Sequence, residues 1–340
     1  MISQRFKLPQ KTNVLVTGGT GFLGSYLIEQ LVSRGYQVKC LAKDELNAAY
    51  IRSLNVEIVM GDLNDGVDFS PLLEDIHNVY HLAGITRARQ NQDYYHGNLL
   101  ATRHFIRQCH KYCHNLKRFI FVSSLSAAGP ARAGNPLTEN MPCHPVSHYG
   151  RSKMLAENEI LQYRSELPIT IVRPSAVYGP RDRDMFTYIL LVKKGLQPLI
   201  GFKKKWLNLI HRDDLIAGII LAGEHPQGKD EIFFLGGEHS YSTEEIGDVI
   251  SSILHKRRLK IHIPHSLVYL IGALSETFGK ICCREVFFNL QKVREAVQEG
   301  WICSVEKAKN WLGFKESITL SQGMASTYQW YLDHGWISGE

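Results

Sequence analysis

The feature that most constrains the fold of this chain is a glycine turn near its N-terminus. Residues 13–24 read NVLVTGGTGFLG, in which a short β-branched apolar run is followed by Gly18, Gly21 and Gly24. The next residues, SYLIEQLVSRG, repeat apolar side chains at helical spacing, so the pattern predicts a buried parallel strand, a tight turn and a helix. Glycines placed this way let backbone N–H groups approach a pyrophosphate, and the helix N-terminus adds partial positive charge. The stretch therefore predicts a dinucleotide-binding turn.

The composition is that of an ordinary globular protein. Of 340 residues, 44% are hydrophobic and 21% are charged, with a formal net charge of +6. The basic stretches at 203–205 and 255–258 are short, which favours solvated surface over a nucleic-acid interface. The seven cysteines show neither a disulfide framework nor a zinc pattern, and residues 1–11 contain no apolar signal segment. We expect a cytoplasmic protein with reduced thiols, no metal and no nucleic-acid partner.

The most apolar window late in the chain is LVYLIGAL at 267–274. It is too short to span a bilayer, so no integral membrane segment is expected. The window predicts either a helix with an apolar exposed surface or a part of the core. Peripheral membrane association through residues 264–290 and assembly into a homodimer both stay open.

Strands and helices are predicted to alternate along the first two thirds of the chain. Further strands are predicted at 36–41, 57–60, 79–84, 119–124, 169–174 and 231–237, and helices at 101–113 and 152–163. This alternation predicts an α/β fold, a doubly wound parallel Rossmann sheet with right-handed crossovers. We expect a dinucleotide-binding domain over residues 11–179 that resumes at 209–236. Residues 180–208 and 237–340 are expected to form a smaller, mainly helical substrate lobe.

Tyr149 and Lys153 are the strongest candidates for acid–base chemistry. They stand four apart in YGRSK, at the start of a predicted helix, so their side chains share one face. Free tyrosine has a pKa of about 10, and a nearby ammonium favours the phenolate, which brings proton exchange closer to neutral pH. Ser124 ends a predicted strand and could hydrogen-bond the same substrate oxygen. With a nicotinamide alongside, these three residues would form a hydride-transfer site.

Motifs along essentially the whole chain add a resemblance. They are TGGTGFLG at 17–24, GDL at 61–63, HLAG at 81–84, NLLAT from Asn98, VSSLSAAG at 122–129, YGRSK at 149–153, RPSAVYGP at 173–180 and HRDDL at 211–215. The chain resembles the extended short-chain dehydrogenases/reductases of the NAD-dependent epimerase/dehydratase family. Its C-terminal patterns, at 301–314 and 329–337, are most similar to the branch of 3β-hydroxysteroid dehydrogenases and dihydroflavonol reductases.

The resemblance implies roles for individual residues. Tyr149 would be the general acid/base, Lys153 would lower its pKa and hold the nicotinamide ribose, and Ser124 would orient the substrate oxygen, with Ser123 as the alternative. The implied cofactor contacts are Gly18, Thr20, Gly21, Phe22, Leu23, Lys43, Asp62, Leu63, Leu82, Ala83, Gly84, Tyr149, Lys153 and Pro174. Of these, Asp62 is expected to contact the adenine and Pro174 to pack near the nicotinamide. Asn98 either takes part or only braces the sheet, and His144 and His148 either face the substrate or are structural.

The end of the second predicted strand bears on the choice of nicotinamide. Relatives that prefer NAD usually carry an acidic residue there, and this chain has Ala42 followed by Lys43. A cation at Lys43 could pair with a 2′-phosphate, whereas Asp44 would repel it if it pointed inward. We expect NADP, with NAD as the alternative.

The substrate is expected to be apolar and to contain no nucleotide. Nucleotide-sugar relatives often place an asparagine where this chain has Ala176 and an arginine where it has Leu207, and dehydratases follow the catalytic hydroxyl with Asp-Glu. Phe186, Phe202 and Trp206 could line an apolar pocket or lie in the core. The expected reaction interconverts a secondary alcohol and a ketone. A nucleotide-sugar epimerase/dehydratase is the alternative, and a non-catalytic dinucleotide-binding scaffold is a further one.

Overall fold

A computed structural model describes residues 12–43, 48–63, 67–132, 134–282, 286 and 288–337. Its centre is a parallel sheet of seven strands. In spatial order these are β10 (Glu231–Leu235), β6 (Ile169–Pro174), β5 (Arg118–Val122), β4 (Asn78–His81), β1 (Asn13–Thr17), β2 (Gln37–Ala42) and β3 (Val56–Met60). The strand order reverses beside β1, so the expected doubly wound Rossmann sheet is confirmed.

Helices cover both faces of this sheet. One face packs on α1 (Phe22–Ser33), α8 (Arg212–Glu224) and α12 (Glu306–Leu312). The other packs on α2 (Ser70–Leu73), α4 (Ala101–Tyr112) and α6 (His148–Leu161). Short helices α3 (Asn91–Tyr94) and α5 (Leu125–Ala128) and a π-helical turn (Tyr95–Leu100) lie near the carboxyl ends of the strands. Each face has its own buried apolar cluster, which explains why the central strands are apolar on both sides.

The remaining chain contains small sheets as well as the expected helices. Strands β7 (Ala176–Tyr178), β11 (Ser240–Ser242) and β13 (Gly300–Trp301) each pair with β9 (Trp206–His211), and β8 (Leu196–Ile200) pairs with β12 (Leu259–Ile263). The helices are α7 (Arg183–Lys193), α9 (Thr243–Leu254), α10 (His265–Ile281), α11 (Leu290–Ala296) and α13 (Leu320–Asp333). Strands β7, β11 and β13 were missed because they have only two or three residues each.

Residues 209–236 divide between the two parts. Helix α8 and strand β10 return to the main sheet, whereas residues 209–211 belong to β9 outside it. The domain boundaries remain a prediction. Within the described ranges, no helix has the length and apolar character needed to cross a bilayer.

Several predicted strands extend too far at their carboxyl ends. The fourth ends at His81 instead of residue 84, the fifth at Val122 instead of 124, and the seventh at Leu235 instead of 237. In the other direction, the helix predicted at 152–163 begins four residues earlier, at His148. The small residues after each strand leave the ladder at one edge of the sheet, where a ligand site is expected.

Candidate active site

The glycine turn after β1 is built against the loop that follows β4. Gly18 has a φ of +71°, and a Cβ at this position would come 2.6 Å from the backbone nitrogen of Ala83. A Cβ at Gly24 would come 2.1 Å from the carbonyl oxygen of Gly18. The Ala83 N–H also donates to Thr17 Oγ1 at 3.4 Å. These close backbone approaches leave no room for a side chain, so the geometry of the turn requires glycine at both positions.

The N-terminus of α1 has the features of an anion site. Gly21 occupies the cap position in an extended conformation, and within the described residues no side chain caps the first turn. Gly21 is exposed, and Thr20, Phe22 and Leu23 around it are half-buried. The first N–H groups of the helix therefore face the turn without a side-chain acceptor. This cradle fits a pyrophosphate.

Two expected cofactor contacts, Lys43 and Asp62, pair with each other. Lys43 Nζ lies 2.7 Å from Asp62 Oδ2, with 75% of the lysine side chain exposed. They meet because β2 and β3 are neighbours, and each residue follows the end of its strand. Asp44 lies outside the described residues. A ligand at this edge would meet an ion pair, not an isolated lysine.

The other expected cofactor residues occupy the same edge of the sheet, with one exception. The Leu82 N–H donates to the Thr17 carbonyl beside the glycine turn, and Pro174 is the buried last residue of β6. A Cβ at Gly84 would come 3.8 Å from Lys153 Nζ. Leu63 instead lies in the apolar cluster behind the sheet, 7% exposed.

Ser124 and Tyr149 meet at the carboxyl end of β5. Ser124 caps α5, and its Oγ accepts a hydrogen bond from the Ser126 N–H at 3.1 Å. It also lies close enough to the Tyr149 hydroxyl to lower the pKa of that group. Tyr149 lies in the first turn of α6, and its ring centroid is 6.2 Å from that of Tyr94. The two hydroxyls are thus placed to share a substrate oxygen.

Lys153 lies one turn after Tyr149, with its side chain buried. Its Nζ donates to the Val122 carbonyl at 2.8 Å and lies 4.2 Å from the centroid of the Phe121 ring. Burial lowers the pKa of Lys153 to about 7, against the opposing effect of Glu157. Glu157 in turn forms a buried ion pair with Arg173 of β6.

The pKa of Tyr149 differs from the sequence expectation. Partial burial raises it to about 12, the Ser124 side chain lowers it, and Glu295 and Tyr94 add to the rise. Lys153 is not among the groups that shift this pKa, and its amine is directed at the Val122 carbonyl.

Neighbouring candidates take structural positions. Ser123 continues the pairing of β5, its N–H donating to Val172 at 2.7 Å, and its buried Oγ has no partner among the described residues. His148 Nδ1 lies 2.8 Å from Tyr95 Oη, and burial lowers its pKa. His144 is exposed, and its N–H donates to the Ala128 carbonyl. Of the two serines, Ser124 is the one whose side chain lowers the pKa of Tyr149.

Asn98 links the loop after β4 to the helix of Tyr149. Its Oδ1 accepts from the Ile85 N–H at 2.7 Å, and its Nδ2 donates to Ser152 Oγ at 2.9 Å. It is 1% exposed and lies in the π-helical turn. The structure therefore supports the bracing interpretation of this residue.

Sequence reasoning missed the contribution of α11 to this site. Ser147, which caps α6, donates to Glu295 Oε1 at 2.7 Å, and the His148 N–H donates to Gln291 Oε1 at 2.9 Å. Glu295 thereby lies close enough to Tyr149 to raise its pKa. A contact across nearly 150 residues has no local signal in the sequence.

The aromatic residues suggested as pocket lining do not gather around Tyr149. Phe186 packs in the core of the C-terminal region against Tyr331 and Trp336. Phe202 is exposed and stacks on His262. Trp206 begins β9, where it pairs with β11 and β13. The apolar pocket proposed from these three residues is therefore not supported.

Comparison with known proteins identifies the family. Residues 14–236 match the model of the NAD dependent epimerase/dehydratase family. The chain belongs to that family. Its cofactor is accordingly a nicotinamide dinucleotide, and enzymes of the dehydrogenase and epimerase type are its relatives.

Individual relatives cover nearly the whole chain. It is 27% identical to a sterol-4-alpha-carboxylate 3-dehydrogenase of Dictyostelium discoideum, over 92% of this chain and 98% of that protein. It is also 27% identical to a UDP-glucose 4-epimerase of Vibrio cholerae, over 96% and 97%. The crystal structure of gox2253 matches 96% of this chain and 99% of its own, with a TM-score of 0.80 and 26% identity. The resemblance to extended short-chain dehydrogenases/reductases is confirmed.

Proposed function

We propose that this protein is an NADP-dependent oxidoreductase that interconverts a secondary alcohol and a ketone on an apolar substrate. The observation that carries the proposal is the proximity of the Ser124 and Tyr149 side chains beside the buried Lys153, at the sheet edge that holds the glycine turn. The Ser124 and Tyr149 hydroxyls and the Lys153 amine lie at the end of one strand and in the first turns of one helix. Together such groups can bind a substrate oxygen and transfer its proton. The bound nicotinamide supplies or accepts the hydride.

The proton steps follow from the positions of these side chains. In reduction, the Tyr149 hydroxyl gives its proton to the substrate oxygen while Ser124 donates a hydrogen bond to that oxygen. In oxidation, the Tyr149 phenolate takes the proton from the alcohol. A positive charge on Lys153 close to the Tyr149 oxygen favours the phenolate, since a nearby cation lowers the pKa of a phenol. The Tyr149 and Ser124 side chains thus complete the proton balance without a metal ion.

Three features of the site support a substrate without a nucleotide. Ala176 is exposed where many nucleotide-sugar relatives use an asparagine, and Leu207 occupies the expected arginine position. The adjacent amide in the sequence, Asn208, is already bonded to the carbonyls of Gly237 and His239 and to the Cys303 N–H. These three positions therefore offer a diphosphate no unengaged polar side chain. The sterol dehydrogenase relative is consistent with an apolar substrate.

A panel of ketones and UDP-sugars tests the reaction class. Oxidation of NADPH by aliphatic or steroid-like ketones, followed at the nicotinamide absorbance, is the expected result. Epimerisation of a UDP-sugar without such turnover would favour the alternative that the Vibrio cholerae relative represents. Tight dinucleotide binding with neither activity would indicate a scaffold, although the intact Ser124, Tyr149 and Lys153 argue against that function.

We expect Lys43→Ala to weaken NADP binding much more than NAD binding. A charge-assisted contact to a 2′-phosphate contributes about 1.5–3 kcal/mol, or roughly tenfold to a hundredfold in Kd. The pair with Asp62 at 2.7 Å competes with that contact, so Asp62→Asn should raise the preference for NADP over NAD. Isothermal titration calorimetry with both dinucleotides measures each effect. Equal losses for the two cofactors with Lys43→Ala would contradict the NADP assignment.

We expect Glu295→Gln to shift the pH dependence of alcohol oxidation to lower pH. The carboxylate raises the pKa of Tyr149, so its neutral replacement lets the phenol ionise more easily. Because oxidation uses the phenolate, the acid limb of the kcat/KM profile moves down. Glu299→Gln, an exposed partner of Lys203, is the matched control and should leave the profile unchanged. An unchanged profile for both variants would show that Glu295 only braces Ser147.

A further inference from the structure

Helix α10 is held to the protein by one face only. Val268 is 2% exposed, and a Cβ at Gly272 would come 2.5 Å from Val293 Cγ2 of α11. Further along, Glu276 Oε2 accepts a hydrogen bond from the Leu290 N–H at 3.2 Å. These positions recur four residues apart, so they mark the inner face of the helix. The helix is therefore docked on the fold.

The opposite face of α10 is apolar and exposed. Its side chains are 45% (Leu267), 54% (Leu270), 42% (Ile271), 62% (Leu274), 64% (Phe278) and 76% (Ile281) exposed. Spacings of three and four residues place all of them on one stripe, the stripe that a surface helix normally turns toward a core. A contiguous exposed apolar area of this kind marks an interaction site.

The two-stranded sheet before α10 extends this apolar area. Leu196 of β8 is paired with Leu259 of β12, and they are 39% and 64% exposed, while Ile261 is 39% exposed. Gln197 and Leu199, on the alternate positions of β8, are buried. Because neighbouring strand residues alternate faces, the outer face of this sheet is its apolar face.

A loop joins the sheet to the helix. Phe202 is 75% exposed, and the preceding Gly201 lies against the imidazole of His265, the first residue of α10. We call the outer faces of β8, β12 and α10, together with Phe202, the apolar platform. It consists of one helix face, one sheet face and the loop between them.

The chain around the apolar platform is basic. Residues 185–211 and 249–275 contain nine lysines and arginines and no aspartate or glutamate. Six of these cations have protein partners, namely Lys193, Lys203, Lys205, Lys256, Arg258 and Lys260. Three of the six pair with carboxylates from neighbouring segments: Lys203 with Glu299, Arg258 with Asp248 and Lys260 with Glu244. Lys194, Lys204 and Arg257 are exposed on the same stretches. The platform is thus an apolar surface with a positive surround.

We propose that the apolar platform docks on an anionic lipid surface, with α10 lying in the plane of the interface. Apolar side chains flanked by cations suit the boundary between acyl chains and anionic headgroups. At 17 residues, α10 is about 25 Å long, shorter than the hydrocarbon core of about 30 Å, so it lies on the bilayer instead of crossing it.

The charge distribution favours lipid over a second copy of this chain. A two-fold contact through the apolar platform would bring each basic stretch against its own copy. Like charges would then face each other, whereas an anionic bilayer attracts them. The proposal does not depend on the reaction catalysed, so its failure would leave the proposed function intact.

Vesicle flotation with the full chain tests the proposal. The vesicles are phosphatidylcholine alone and phosphatidylcholine mixed with phosphatidylglycerol, and the variants are Leu274→Glu and Phe278→Glu. We expect the wild-type protein to float with the mixed vesicles. Each variant should have a partition coefficient at least about tenfold lower, because a charged side chain replaces an apolar one that would contact the acyl chains. Lys204→Glu combined with Arg257→Glu should reduce binding to the mixed vesicles.

The matched control is Trp311→Glu, because Trp311 is also exposed (42%) and lies outside the apolar platform. It should float like the wild type. Unchanged dinucleotide affinity and thermal unfolding in every variant show that the fold is intact. The proposal would be overturned if the wild-type protein did not float with the mixed vesicles. It would also be overturned if the Leu274 and Phe278 variants floated as well as the wild type. A wild-type dimer in sedimentation that the Leu274 variant converts to monomer without any vesicle binding would overturn it as well.

Discussion

Replacing Tyr149 with phenylalanine is expected to lower kcat by about 10²–10⁴-fold, the usual contribution of general acid–base catalysis. The ring and its packing against Tyr94 remain, and only the hydroxyl beside Ser124 is lost. Dinucleotide affinity should barely change, because the cradle at the N-terminus of α1 does not involve this hydroxyl. Steady-state kinetics on a ketone from the panel and calorimetry with NADP measure the two quantities.

Companion variants separate the proton from positioning effects. Lys153→Met should lower both kcat and cofactor affinity, since this lysine is assigned to the ribose and to the phenol. Ser124→Ala should lower kcat less than Tyr149→Phe and leave cofactor binding nearly unchanged. Tyr163→Phe, just beyond the end of α6, is the matched control and should behave as the wild type. Full turnover by Tyr149→Phe would assign the proton to another group, with His148 the next candidate.

Gly21→Val is expected to weaken dinucleotide binding by at least about a hundredfold. The glycine is exposed at the cap of α1, and a side chain there would stand where the helix N–H groups must approach the pyrophosphate. Loss of two charge-assisted hydrogen bonds, each about 1.5–3 kcal/mol, accounts for that factor. Calorimetric titration with NADP and NAD gives the Kd values.

The choice of Gly21 over Gly18 comes from the structure. Gly18 has a positive φ and no room for a Cβ beside Ala83, so its replacement would disturb the fold as well as the site. At Gly21 a Cβ would meet only the Gly18 carbonyl, at 3.2 Å. Gln30→Val, on an exposed position of the same helix, is the control. Native-like binding by a folded Gly21 variant would contradict the assignment of the glycine turn.

The strands of the main sheet were predictable because each is marked by a local run of apolar residues. Parallel strands covered on both faces require continuous apolar runs, and the sixth strand ends at Pro174 as predicted. Errors gathered where strands end, as at residues 82–84 and 123–124. There the small residues resemble strand composition, but the backbone leaves the ladder to form the site.

The small sheets of the second part were not predictable for a different reason. The ladder of β9 brings together residues from 176, 206, 240 and 300, each in a segment of two to six residues. Short segments have too few side chains for a period to stand out. Their pairing joins residues that lie between 32 and 94 positions apart in the chain.

By itself the sequence predicted the Rossmann architecture, which is confirmed, and it predicted the glycine turn and the Ser124, Tyr149 and Lys153 set, whose roles stay predictions. These depend on periodicity and on motifs whose spacing maps directly onto one turn of backbone or one helix face. The tertiary structure alone decided which residues distant in sequence come into contact. It paired Lys43 with Asp62, brought Glu295 to the start of α6, and left the outer stripe of α10 uncovered. Local pattern cannot specify these outcomes, because each depends on which distant segment arrives beside a residue.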